Sequence, residues 1–553
     1  VSRPKIVFAR EAGYSLRLKA WIDRGRNWLT SRIAGVIDGE AGAQNGTGAV
    51  AAALVTGKRG MIPESANEDL RAAGIYHIVS ISGLHMVLAA GLFLWVLRAV
   101  FALFPGLVLA RPIKVWAALF AMVGASAYCL FSGSEVATQR SLIMTLVMLG
   151  AVVAGRSAIS MRNLAMAALL VLALDPNALL GPSFQMSFAA VAAMIGAFER
   201  RAGTVGAGDP LAGQWGMATP RDDPAQDIRA GLEGRVLLVL IAMSITTLVA
   251  SVATDPYALY HFHRITPYGL LGNMLVLPLV ECVVMPAAVA GVVAAPFGLD
   301  GPVWWLMGQG IAFMMMMAQW VAGLQGSVIL LPAFGAGALL IMTAGFLWLL
   351  LWQTPIRWAG LAVVATGIAM AVMAERPDVV ISGQGRIVAY RNAAGSLDVL
   401  NARANKFGVA QWLASDADRR KPDTPGLGGS GRCDKAGCIG RLRDGRILAL
   451  VLSRSALVED CARADIVVTP LRTKAICKGP ERIFDRDWLA AHGASRIFLS
   501  RDGTLRFETA RKPSLNRPWS RGLNAQPRAS RPPKASGQPK SGSAQTGGWV
   551  KAK

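Results

Sequence analysis

The chain has 553 residues, 53% of them hydrophobic and 16% charged, with mean hydropathy +0.42 and a formal net charge of +23. That balance excludes an ordinary soluble domain and indicates a polytopic α-helical membrane protein whose charges collect in loops and tails. The basic excess suits anionic partners, lipid or nucleic acid, without choosing between them.

Residues 1–56 form an amphipathic or soluble N-terminal segment. They show no basic start, apolar core and small-residue cleavage site, so insertion is expected to use internal spans. The stretch 14–37 sets Leu16, Leu18, Trp21, Ile22, Trp28, Leu29, Ile33 and Ile37 among Arg and Lys. This predicts a basic amphipathic helix, suited equally to a membrane surface or to packing on its own domain. Trp21, Trp28, Arg24 and Arg26 combine aromatic faces with charge, as single-strand binders do.

A bilayer core takes about 20 apolar residues per helix. On that rule about ten spans are expected, near 76–104, 112–131, 138–155, 162–175, 183–198, 235–254, 268–296, 302–324, 328–352 and 355–374. A Gly-, Pro- and charge-rich stretch at 199–234 reads as an exposed linker, giving the membrane region 57–374 two halves. From 375 the runs DVVIS, GRIVAYR, SLDVL, RILALVL, DIVVT, RIFLS and GTLRFET alternate as short strands, with KFGVAQWLA and DRDWLAAHG as candidate helices. Residues 375–509 are therefore expected to form a small soluble α/β or α+β domain. The Pro-, Gly-, Ser- and Lys-rich stretch 510–553 reads as a disordered basic tail.

Four of the six cysteines, Cys433, Cys438, Cys461 and Cys477, fall in the soluble domain. They suit two disulfides or one structural zinc. CDKAGC lacks the tight two-residue knuckle of many zinc sites and the domain has one histidine, His492, which favours disulfides and an oxidising compartment. The simplest of three connectivities pairs Cys433 with Cys438 and Cys461 with Cys477.

Polar residues interrupt the apolar blocks at few places. In GIYHIVSISGLHMVLAAG, a single helix turning about 100° per residue would bring His77 and His85 within about 80° of each other. Ser82 and His85 would form an i, i+3 pair, making one polar face directed into the bundle. Gly83, beside Ser80 and Ser82, permits close helix approach or a break. Such a face suits a wet path or a phosphate site; it equally suits hydrogen bonds that only fix helix packing. A metal site from His77, His85, His261 and His263 ranks lower, since distant helices would have to converge. Further on, Pro267, Gly269, Gly272, Asn273, Pro278 and Pro286 predict a broken helix, whose new N-terminus favours anions, or a pair of proline kinks. Glu281, an acid inside that segment, is expected to be a structural tether, with Arg140 as its partner.

The stretch ALVTGKRGMIPESANEDLRAAGIYHIVSISGLHMVLAAG, with Gly57, Gly74, His77 and the run Ser80 to His85, resembles the signature of the ComEC/Rec2 family. Later blocks are similar to it as well: SGSEVATQRSLIMTLVML with Arg140, LDPNALLGPSFQMSFAAV with Gln185, and YHFHRITPYGLLGNMLVLPLVECVVMP with Asn273 and Pro278. The resemblance implies an inner-membrane channel component for uptake of single-stranded DNA in natural transformation. It further implies an extracytoplasmic soluble domain, DNA-receptor and ATP-dependent motor partners, and a possible homo-oligomer. No phosphate-loop motif is present, so the channel would be passive by itself. The path would include His77, Ser80, Ser82, Gly83, His85, Arg140, Gln185, Asn273 and Pro278.

Two departures stand beside the match. The region ahead of the signature is short for that family. Many relatives carry a metallo-β-lactamase-like domain with an HxHxDH cluster; His492 alone does not supply it, so the soluble domain is expected to be a degenerate version. Neither an enzyme of that kind nor a metal or other cofactor is expected, while nuclease chemistry elsewhere is left open. A secondary transporter for a small anion is the alternative, with the broken helix as its site, although no repeat relates the halves.

Overall fold

The computed structural model describes residues 14–39, 46–80, 83–104, 106, 112–204, 232–352, 354–473, 477–500 and 502–511. Ser82, residues 205–231 of the expected linker and the tail beyond 511 lie outside them. The described residues divide into two compact units. One comprises those up to Glu375 together with Leu413–Arg419; the other comprises Arg376–Trp412 and the residues from Arg420 onward.

The first unit begins with helix α1 (Tyr14–Asp38), α2 (Thr47–Thr56), α3 (Glu64–Ala72) and the single turn α4 (Tyr76–Val79). There follow α5 (Gly83–Ala102), α6 (Ile113–Phe131), α7 (Val136–Val153), α8 (Met161–Leu174), α9 (Pro182–Thr204) and α10 (Leu232–Phe262). Its last part holds α11 (Gly269–Leu279), α12 (Met285–Ala294), α13 (Gly301–Ala322), α14 (Ala336–Leu351) and α15 (Ala359–Val372). Strand β1 (Arg264–Ile265) pairs antiparallel with β2 (Ile329–Leu330).

Among the described residues six helical stretches are long and apolar enough to cross a bilayer: His85–Ala102, Ile113–Phe131, Val136–Val153, Leu240–Phe262, Gly269–Phe297 and Pro355–Val372. The expected ten are thus not all matched by full-length spans. Met161–Leu174, Pro182–Ala197 and Ala336–Leu351 are shorter apolar helices. A helix of 14 residues such as α8 reaches only about 21 Å, less than the roughly 30 Å of a hydrocarbon core. The span expected at 302–324 is α13, a hub rather than a wall. Its Trp304, Met307, Ile311 and Met314 are fully buried in a cluster with α1, α2, α3, α11 and α12.

The expected break in the 269–297 segment takes another form. Helix α11 passes into a π-helical turn at Val280–Val284 and continues as α12. Pro286 has no N–H to offer the preceding turn, and just before it Met285 N–H reaches back five residues to Val280 O. The chain therefore stays wound, with Pro278 inside α11, and no fresh helix N-terminus opens there.

The second unit contains two five-stranded sheets. One has the order β12, β11, β3, β4, β5, where β3 is Val379–Ile381, β4 Val388–Arg391, β5 Leu397–Leu400, β11 Ser495–Leu499 and β12 Leu505–Thr509. The other has the order β10, β9, β8, β7, β6, where β6 is Arg432–Cys433, β7 Gly437–Arg441, β8 Ile447–Val451, β9 Ile466–Val468 and β10 Arg482–Phe484. Strands β8, β9 and β10 run parallel and every other pair is antiparallel. Strand β8 shows the layering. Leu448 and Leu450 enter the core shared with Val379, Ile381 and Val388, while Ala449 and Val451 pack under helix α16 (Leu457–Arg463). This region carries the sheets and helices of a mixed α and β domain. Cys433 is bonded to Cys438 across the β6–β7 pair, and Cys461 of α16 to Cys477.

Candidate functional site

Glycine contacts seat the signature stretch. Gly74 has φ +73°, and a Cβ built on it would lie 2.8 Å from Gly269 Cα. A Cβ on Gly272 would lie 2.4 Å from Ala73 O. The turn ahead of α4 therefore rests backbone to backbone on the first turn of α11, which only glycine permits on both sides.

Beyond that contact the helix does not run on. After α4, Ser80 is extended at φ −80°, ψ 126°, and α5 starts at Gly83. The break cancels the continuous 100° register on which the expected face of His77 and His85 depended. His77 is exposed, whereas His85 is 1% exposed. Gly83 faces α7, where a Cβ added to it would stand 3.7 Å from Ser141 Oγ.

Helix α7 carries a buried polar stripe that the sequence reading missed. Thr138, Ser141 and Thr145, spaced i, i+3 and i+7, are each at most 3% exposed. Ser141 donates to Ala137 O at 2.9 Å, while the hydroxyls of Thr138 and Thr145 have no hydrogen-bond partner among the described residues. Their helical spacing beside Arg140 was the available signal.

Arg140 is 7% exposed and reaches α9, donating to Ser183 Oγ and, at 2.9 Å, to Ser187 Oγ. It does not pair with Glu281. That acid lies exposed on the π-helical turn and forms no ion pair among the described residues. The widened turn presents Glu281 outward, so the expected tether is absent.

Gln185 joins the next two helices. Its amide donates to Leu179 O at 3.0 Å, and its Oε1 lies 2.9 Å from His261 Nε2 of α10. Tyr257, one turn earlier on α10, donates to Thr343 Oγ1 of α14 at 3.1 Å. Single polar contacts thus run from α7 through α9 and α10 to α14. Asn273, 8% exposed on α11, keeps its Oδ1 without a partner. Among the motif residues, Arg140 and Gln185 tether α9, Gly83 faces α7 and Asn273 sits on α11. Among the described residues no three His, Cys, Asp or Glu side chains are placed to hold a metal ion. In the second unit His492 is stacked on Trp488 at 4.2 Å between ring centroids, its Nδ1 2.9 Å from Trp488 O.

The family model for competence proteins matches residues 54–355. The chain is 35% identical over 200 residues to Competence protein ComA of Neisseria gonorrhoeae, covering 36% of this chain and 27% of that protein. It is 24% identical over 251 residues to ComE operon protein 3 of Bacillus subtilis, covering 44% and 27%. It is 26% identical over 271 residues to the uncharacterized protein YcaI of Escherichia coli K12, covering 48% and 32%. The matches thus span about a quarter to a third of these relatives. No solved structure matches the chain.

Proposed function

This chain belongs to the competence protein family, and from that membership we propose that it is a channel component for uptake of single-stranded DNA in natural transformation. The observation that carries the proposal is the extent of the match, 54–355, which takes in nearly the whole helical unit. In this reading the chain sits in the bacterial inner membrane with its second unit outside the cytoplasm, where two disulfides are stable. A DNA receptor delivers the strand and an ATP-dependent motor draws it inward, acting on a passive pore that works as a single copy or a homo-oligomer. His77 and Ser80, at the break between α4 and α5, are the motif side chains we assign to contact with the strand. His85, Arg140 and Gln185 hold the surrounding helices in position. The soluble unit acts without hydrolytic chemistry.

The small-anion reading drew on a helix end inside the membrane. The winding is continuous through 280–284, and the new helix start at Gly269 lies at the end of its span.

The test is uptake of labelled DNA and transformation in the producing cell, comparing deletion, wild-type rescue and rescue with His77→Ala at equal membrane level. Deletion is expected to abolish passage of DNA to the cytoplasm, and His77→Ala to restore it poorly. Intact transformation after deletion in a competent strain overturns the channel reading.

A further inference from the structure

Helix α1 has one face that the other described residues do not cover. Leu29, Thr30 and Ile33 are buried against α2 and α13. On the opposite flank, Trp21 is 66% and Trp28 54% exposed. At about 100° per residue, Arg17, Trp21, Arg24 and Trp28 fall within about 60° of one another, a stripe of alternating cation and indole. All four are exposed, and neither Arg17 nor Arg24 has an ion-pair partner among the described residues. Asp23 lies off this stripe and pairs with Arg26 at 3.0 Å.

Two contacts fix the depth of α1. Arg26 donates to Thr56 O at 2.8 Å and to Ser132 O at 3.3 Å, and Ser132 directly follows the span Ile113–Phe131. Six residues on, Arg32 holds both oxygens of Asp300 at 3.1 Å, just past the end of the span Gly269–Phe297. The ends of spans lie at the boundary between hydrocarbon and headgroups, so α1 lies along that boundary. The exposed stripe then meets the level at which Trp and Arg are favoured.

A cavity of about 480 Å³ opens beside the stripe, lined by Asn27, Thr30 and Ser31 of α1 and by Lys58, Gly60 and Met61 of the following loop. Lys58 contacts Asn27 there. The same loop is tied to the start of α7 by an ion pair between Arg59 and Glu135, which keeps it at the same boundary. The cavity lining is largely apolar, and the Lys58 ammonium and Asn27 amide are its groups for one phosphate-bearing headgroup, the hydroxyls of Thr30 and Ser31 already donating to Arg26 O and Trp28 O.

We propose that the Arg17–Trp21–Arg24–Trp28 stripe and the Lys58 cavity form a binding surface for anionic phospholipid of the adjoining leaflet. This goes beyond the uptake reading and does not depend on it. Lipid is the occupant because charge and depth agree: the stripe is cationic, and it continues the exposed apolar surface that Leu130 and Val123 present on α6. Each cation near an anionic surface adds to binding.

The test uses the full chain in nanodiscs of phosphatidylcholine with increasing phosphatidylglycerol, either lipid carrying the same brominated acyl chain as a quencher of tryptophan fluorescence. Brominated phosphatidylglycerol is expected to quench the wild type more than brominated phosphatidylcholine. Trp21→Phe with Trp28→Phe should remove the difference. Arg24→Gln and Lys58→Gln, with size-exclusion profiles unchanged, should each raise the phosphatidylglycerol fraction at half-maximal quenching about fivefold. Equal quenching by both lipids in the wild type, or no shift in either cation variant, overturns the proposal. Protection of Trp21 and Trp28 by oligothymidylate in place of phosphatidylglycerol also overturns it, in favour of nucleic acid.

Discussion

The helical unit and the sheet unit are held together by different means. In the sheet unit, hydrogen-bonded ladders join ten strands in two sheets, and two disulfides close its turns. Its buried acid Asp378 accepts from Leu499 N–H at 2.7 Å and pairs with Arg443 at 2.9 Å, joining segments more than 60 residues apart. The helical unit has no disulfide among its described residues, and its one described strand pair, β1 with β2, is two residues long. Helices α14 and α15 meet where a Cβ on Gly345 would lie 2.8 Å from Gly360 O, and one on Gly360 2.7 Å from Gly345 O. Elsewhere single side chains such as Arg140 and Gln185 span the gap. Lipid tails are as apolar as the side chains they contact, so burial alone does not pull helices together in a bilayer. Close backbone approach and isolated polar bonds take over that role.

The sharpest probe of this contrast is Cys461→Ser with Cys477→Ser. It is expected to destabilise the sheet unit by about 2–4 kcal/mol and leave the helical unit unchanged, read by urea-dependent proteolysis of the full chain. Equal loss in both units would erase the distinction. Next comes Ser187→Ala, which strips a hydrogen bond from the buried Arg140 cation and should cost about 1.5–3 kcal/mol in thermal unfolding in detergent. A change below the scatter of the assay would mean that the arginine holds α9 by packing alone.

Gly345→Leu should cost about 1–3 kcal/mol by overpacking the α14–α15 contact, whereas Gly395→Leu in a turn of the sheet unit, where a Cβ meets no neighbour, is opposed only by its φ of +80°. Cysteine crosslinking between α14 and α15 distinguishes the two. Smaller still is Thr343→Val, which leaves Tyr257 without its acceptor at roughly 0.6 kcal/mol, the mean for such bonds in membranes. The smallest effect is one of pH. The hydrogen bond from the Arg32 guanidinium holds the Asp300 carboxyl below its ordinary range. Its contribution is therefore complete above the usual carboxylate pKa of about 4 and is lost as pH falls through the lower folded value. Arg32→Gln should move acid unfolding of α1 to higher pH, and an unmoved midpoint would show that the pair is idle.

Much of this architecture was legible in residue order. Membrane character, the change of composition near 375 and the strand runs follow from local composition and spacing, and both disulfides coincide with the simplest of the three connectivities the cysteines allow. The amphipathic character of α1 was legible too, but which of its apolar residues are covered was not: Leu29 and Ile33 are buried while Trp21 and Trp28 are not. The motif region was legible only as a set of unusual residues. A helix through 76–104 puts His77 and His85 on one face, but the extended Ser80 places them on two different helices. Glu281 and Arg140 look like partners because each is a costly charge in an apolar run, yet Ser183 and Ser187 answer the arginine.

What the sequence determined by itself is therefore everything set by periodicity and composition, which act over a few residues. Only the tertiary structure decided which helix each polar side chain meets, where winding shifts to a π turn, and which apolar helix becomes the buried hub. Those outcomes depend on close contacts between residues 40 to 200 positions apart, such as Arg140 with Ser187 and Gly74 with Gly269, and local preferences carry no record of them.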